Sequence, residues 1–243
     1  MRMSRIYLVL SIVSMMAAVF VGAAHKHHKK KKRETRDCRV ERQLPGGVAF
    51  DGSVTELQRD AFRMVQTRDY AAMLARAERL LQLDPDDPLN HEIKAYALRG
   101  HGMPRLSAES YEAAIQRALA EGSEDGLVLC DCYIGLAACQ FAAGNRAEAL
   151  KNIELALALT EQRRRAEQSE DAYYQLACAY AVHSTMVDET ERAKERSRAI
   201  ANLKFAIAAG YDGWDHMRND LDLAPLHGYA SFEELFPDGP LDE

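Results

Sequence analysis

"YIGLAACQFAAGNRAEALKNIELALALT", Tyr133 to Thr160, decides the fold. Tyr133, Leu136, Ala137 and Gln140 recur at three- and four-residue steps, which places them on one face of a helix. "AGN" at 143–145 then breaks the run with turn-forming residues. Ala149, Ile153 and Ala156 resume the same steps on a second helix. Ala137 and Ala149 are twelve residues apart, which leaves room for the end of one helix, a tight turn and the start of the next. The stretch therefore predicts a helix hairpin.

Copies of this pattern flank it. Upstream, Leu57, Ala61 and Met64 precede "TRDY", and Met73, Ala77 and Leu80 follow, again with twelve residues from Ala61 to Met73. Ala95 and Leu98, then Tyr111, Ile115 and Ala118, make a second copy whose spacing of sixteen predicts a turn lengthened by "RGHGMPR". Downstream, "YYQLACAY" supplies Tyr173, Leu176, Ala177 and Tyr180, and Ala199, Leu203 and Ala206 supply its partner helix. Here the spacing is twenty-two, as if ten residues were inserted around "HSTMVDETER". These spacings resemble the tetratricopeptide repeat over about Val54 to Ala209. The resemblance implies an all-α fold, an α-solenoid of about four helix hairpins. Ala61, Ala95, Ala137 and Ala177 stand where the helices of a hairpin cross, since a larger side chain would push the axes beyond about 8–10 Å. One hairpin cannot bury its apolar face alone, so about three or more must stack.

"AAGYDGWDHMRNDLDLAPLHGYASFEELF", Ala208 to Phe236, ends the pattern. Gly210 reads as a helix C-cap, and Trp214, Met217, Leu221, Leu223, Leu226, Phe232 and Leu235 alternate with charges. A solenoid's last repeat needs its apolar face covered, and 210–243 is expected to be that cap and tail. The segment is also similar to the tail of bacterial tetratricopeptide end-of-group sequences, matching at Asp220, Asp222, Leu223, Leu226 and Phe232, which implies a structural ending. Asp215, His216, Asp220, Asp222 and His227 offer an acid–base set as the enzymatic alternative, but no nucleophile elbow, metal spacing or phosphate loop accompanies them. No enzyme activity, cofactor or metal is expected.

The N-terminal region is of a different kind. Ile6 to Ala24 is nineteen residues without a charge, about 28 Å as a helix and long enough to span a bilayer. With Arg2 and Arg5 before it and small residues at its end, residues 1–24 also read as a signal peptide. The basic flank that follows carries seven Lys/Arg in "HKHHKKKKRETR", which places that side in the cytoplasm and favours an uncleaved anchor. His25, His27 and His28 lack a second ligand cluster to complete a metal site. "QLPGGVAFDGS" closes the 25–53 flank and linker.

Residues 1–36 carry nine Lys/Arg and one acid, so a formal net charge of −6 leaves −14 on the rest. An acidic body argues against nucleic acid as a partner. Five cysteines, Cys38, Cys130, Cys132, Cys139 and Cys178, spell neither a disulfide framework nor a zinc ribbon. Buried thiols are expected.

The resemblance implies a concave groove lined by the first helices, at Gln58, Phe62 and Val65, Glu92, Tyr96 and Arg99, Ile134, Ala138 and Phe141, and Tyr174, Cys178 and Ala181. Phe62, Tyr96, Arg99, Phe141 and Tyr174 are its partner-binding candidates, with Arg99 available for a carboxylate. The same aromatics at helical spacing are equally the mark of packing between repeats. Two functions follow: a non-enzymatic, membrane-tethered adaptor holding a protein or peptide partner, or an exported envelope subunit with a cleaved signal.

Overall fold

The computed structural model describes residues 53–122 and 126–237. The apolar segment 6–24, the basic flank with its three histidines, the linker and Cys38 lie outside them, as does the tail from 238.

Five of the helices start at a capping side chain. Ser53 and Glu56 form a reciprocal capping box that opens α1 (Val54–Arg63), with Glu56 accepting from the Ser53 N–H at 2.7 Å. Asp69 accepts from the Ala72 N–H at 2.9 Å ahead of α2 (Tyr70–Leu83). The Asp87 carboxylate and Pro88 start α3 (Pro88–Gly100), and Pro104 starts α4 (Pro104–Ala120). α5 (Gly126–Ala142) and α6 (Arg146–Glu167) are the quoted hairpin. Ser169 and Asp188 cap α7 (Glu170–Ser184) and α8 (Glu189–Ala209), and Gly210 ends α8 at a φ of +119°, as its C-cap reading requires.

The described chain is all-helical, without a strand, and consecutive helices pack in pairs that stack on their neighbours. Ala61, Ala95, Ala137 and Ala177 are fully buried. Close approach also falls at Gly135, where an added Cβ would stand 2.2 Å from the Tyr111 ring. Cys130, Cys132, Cys139 and Cys178 are buried free thiols.

The long spacings in the second and fourth pairs correct one expectation. They lengthen helices and leave the turns short. α3 runs to Gly100 and α4 restarts at Pro104; α7 runs to Ser184 and α8 restarts at Glu189. Helix extension satisfies each added backbone N–H and C=O internally, which a longer loop would leave to solvent.

Between and within pairs the contacts are specific as well as apolar. The buried Asn90 accepts from Gln58 at 2.8 Å and donates to the Asp84 carbonyl at 2.9 Å, tying α3 to α1 and to the end of α2. Ser107 donates to the Ala95 carbonyl at 2.7 Å, joining α4 to α3.

Beyond α8 the chain forms α9 (Trp214–Asn219), a 3-10 turn at Ala224–Leu226 and α10 (Ala230–Glu233). Met217, Leu223, Leu226, Phe232 and Phe236 are buried in one cluster with Ile134, Ile153, Ala177 and Leu203 of α5 to α8. No helix among the described residues is long and apolar enough to cross a membrane.

Candidate functional site

The first helices of the pairs face a groove, and the chain's own C-terminal segment crosses it. The Tyr96 hydroxyl on α3 donates to Asp220 Oδ1 at 3.1 Å and accepts from the Leu221 N–H at 2.9 Å. From α7, the Tyr174 hydroxyl donates to Asp220 Oδ2 at 2.8 Å. Arg99, one turn along α3 from Tyr96, forms an ion pair with Asp222 at 2.7 Å. Asn219 donates to the Gln66 carbonyl at 3.0 Å, just past α1. A segment from one end of the fold is thereby fixed to residues from the other.

The local sequence makes this possible. Asp222 donates its backbone N–H to Asp220 Oδ1 at 3.0 Å, so the short Asp-x-Asp turn holds both carboxylates toward the helices. Tyr174 is stacked on Tyr211 with ring centroids 4.5 Å apart and lies 5.8 Å from the His216 ring.

Under this segment a cavity of about 150 Å³ is left, with Phe62, Tyr96, Tyr111 and Tyr174 among its walls. Glu92, Asp131, Asp171, Asp220 and Asp222 also line it, together with His216. Its margin includes the exposed Leu127 and Asp171. Asp131 Oδ1 accepts from Gln175 at 2.8 Å, and Gln175 accepts in turn from Arg163 at 2.6 Å. Glu92 is only 7% exposed, and its Oε2 has no hydrogen-bond partner among the described residues.

Burial dominates the electrostatics. It pushes the Asp131 carboxyl up to about 7 against the opposing Gln175 hydrogen bond, with Asp222 and Asp220 adding to the rise. It pushes Asp222 up to about 6, where the Arg99 charge pulls the other way. Glu92 is held well above the usual carboxylate range by burial and by the facing Asp131, Asp222 and Asp87. The Cys178 thiol is likewise held well above its ordinary value by burial and Asp220, so it stays protonated.

Cys178, Asp220 and Asp222 bring their ligand atoms within 4.8 Å of one another. Their arrangement serves Arg99 and the two tyrosines, because the guanidinium already holds Asp222 and the hydroxyls already hold Asp220. The thiol, being neutral, is a poor ligand.

Of the sequence-predicted residues, Phe62, Tyr96, Arg99 and Tyr174 converge here. Phe141 does not: it packs against the α5 to α8 core, with Arg146 over its ring at 5.7 Å. Of the acid–base alternative, Asp220 and Asp222 enter the site, and His216 Nε2 lies 3.7 Å from Asp220. Asp215 is exposed, and His227 stacks on Phe232. Asp131, Gln175 and Tyr111 were not anticipated. Asp131 carried a readable signal, as the one charge between Leu127 and Cys139. Comparison of the chain with protein-family models and with curated proteins gave no match, so the site rests on its geometry.

Proposed function

We propose that the protein is a non-enzymatic interaction scaffold of tetratricopeptide type, tethered to a membrane through residues 6–24, that holds a partner polypeptide in its groove. One observation carries the reading. The groove already holds a short turn of the chain, Asp220 to Asp222, by pairing Tyr96 with the Leu221 backbone N–H and Arg99 and Tyr174 with carboxylates. That is how a helical groove would take a peptide.

The partner meets what this segment leaves uncovered. Arg99 is spent on Asp222, so the complement of the remaining acidic and aromatic walls is a basic segment rather than a carboxylate. The buried, mutually bonded tyrosines and carboxylates suit holding better than turnover.

Cross-linking from within the groove tests this. A photoreactive phenylalanine analogue at Leu127, on the cavity margin, is expected to capture a discrete partner in intact cells, identified by mass spectrometry. The same probe at Leu119, exposed on α4 away from the cavity, is expected not to. Equal capture at both positions, or none at 127, sinks the groove reading. Intact mass and labelling of Cys38 by an impermeant thiol reagent test the tether. Full mass with labelling only after permeabilisation supports an inward-facing anchor, whereas loss of about 24 residues supports the exported subunit.

A further inference from the structure

We propose that the cavity beneath the C-terminal segment is a binding site for an aliphatic ammonium group carried on a short methylene stem. Among the described residues its lining supplies five carboxyl groups, Glu92, Asp131, Asp171, Asp220 and Asp222, and no lysine or arginine. Four of these have other work or an outlet. Asp220 accepts from Tyr96 and Tyr174, Asp222 pairs with Arg99, Asp131 accepts from Gln175 and Asp171 is exposed. Glu92 has neither. Glu92 lines the cavity, and its buried Oε2 has no hydrogen-bond partner among the described residues. A buried carboxyl oxygen without a donor is unfavourable, so an arriving donor gains a hydrogen bond there.

Shape and wall chemistry select the donor. At roughly 30 Å³ for each water-sized atom, 150 Å³ holds about five non-hydrogen atoms, the size of a butylammonium ion. Tyr96, Tyr111, Tyr174 and Phe62 line the cavity with apolar ring surface suited to methylenes and with electron-rich rings for a cation. A hard divalent ion would need several unengaged oxygens and gain nothing from the rings. Burial and the facing Asp131, Asp222 and Asp87 hold the Glu92 carboxyl above the usual range, a shift that a cation beside it would oppose.

The group has two sources, a free amine or a lysine side chain. Only the second rests on the scaffold reading above.

The full-length chain in detergent micelles, titrated calorimetrically with n-butylammonium chloride at constant ionic strength, decides the matter. Saturable one-to-one binding is expected, weakened about tenfold or more in Glu92→Gln. Phe62→Trp, which crowds the cavity without touching a carboxyl group, is expected to abolish it. Nα-acetyl-lysine amide separates the sources: binding at least as tight as n-butylammonium assigns the site to a lysine side chain, and failure beside intact n-butylammonium binding assigns it to a free amine. Heats of dilution only, unchanged binding in Glu92→Gln, or saturation by calcium chloride in place of the amine overturn the proposal. Failure of both amines with the Leu127 cross-link intact removes this site and leaves the scaffold standing.

Discussion

Arg99 on α3 and Asp222 in the C-terminal segment form an ion pair at 2.7 Å, with side chains 12% and 13% exposed. Two charges this sheltered stabilise each other while both are present, but either alone is a liability. Arg99→Met is expected to cost about 2–4 kcal/mol by urea denaturation and to speed proteolysis of the chain after Gly210. Asp222→Asn is expected to cost at least as much, because it leaves the Arg99 charge buried without its partner, whereas Asp222 alone can take up a proton. The double variant should be less destabilised than the sum, by about 0.5–3 kcal/mol. Strict additivity would mean that the pair contributes nothing to docking the segment.

Gly135 and Tyr111 touch so closely that no side chain fits between them. Gly135→Ala is expected to lower stability by about 1–3 kcal/mol, because its Cβ would stand 2.2 Å from a fully buried ring. Gly126→Ala, on the same helix but facing open space, is expected to be neutral or slightly stabilising. Thermal midpoints of the two variants read the difference.

Asp131 and Asp222 predict the direction of pH dependence. Their folded values of about 7 and about 6 stand above the ordinary 3.8, so the folded state binds protons that the unfolded chain has released. Their stabilisation is complete below about pH 4 and is lost as pH rises through 6 to 7. Urea midpoints at pH 5, 6, 7 and 8 are expected to fall across the series. In Asp131→Asn, which keeps an acceptor for Gln175, the fall should be shallower; an unchanged slope would remove Asp131 from this account.

Phe232 tests whether the last segment belongs to the core. It is 1% exposed within the α5 to α8 cluster, and Phe232→Ala is expected to cost about 3–5 kcal/mol by chemical denaturation. A loss below about 1 kcal/mol would make the segment an appendage.

The helix pairs were legible because their signals are local. Apolar steps of three and four, alanines at the crossings and Gly210 as a stop each depend on a few neighbouring residues. The added residues near Gly100 and Ser184 misled, since spacing alone does not say whether they join a helix or a turn. The site was half legible. Phe62, Tyr96, Arg99 and Tyr174 follow from their register on the first helices, and Phe141 shares that register yet packs elsewhere.

By itself, the sequence determined an all-helical chain of paired helices, buried thiols and an apolar closing segment, because periodicity and side-chain size act over single turns and hairpins. Only the tertiary structure decided that Tyr96 and Asp220, 124 residues apart, bond to each other, and that Arg99 answers a carboxylate of its own chain. That meeting depends on how far each stacked pair turns the groove toward the returning segment. The turn accumulates from crossing angles and packing at every interface, and no short stretch of sequence contains it.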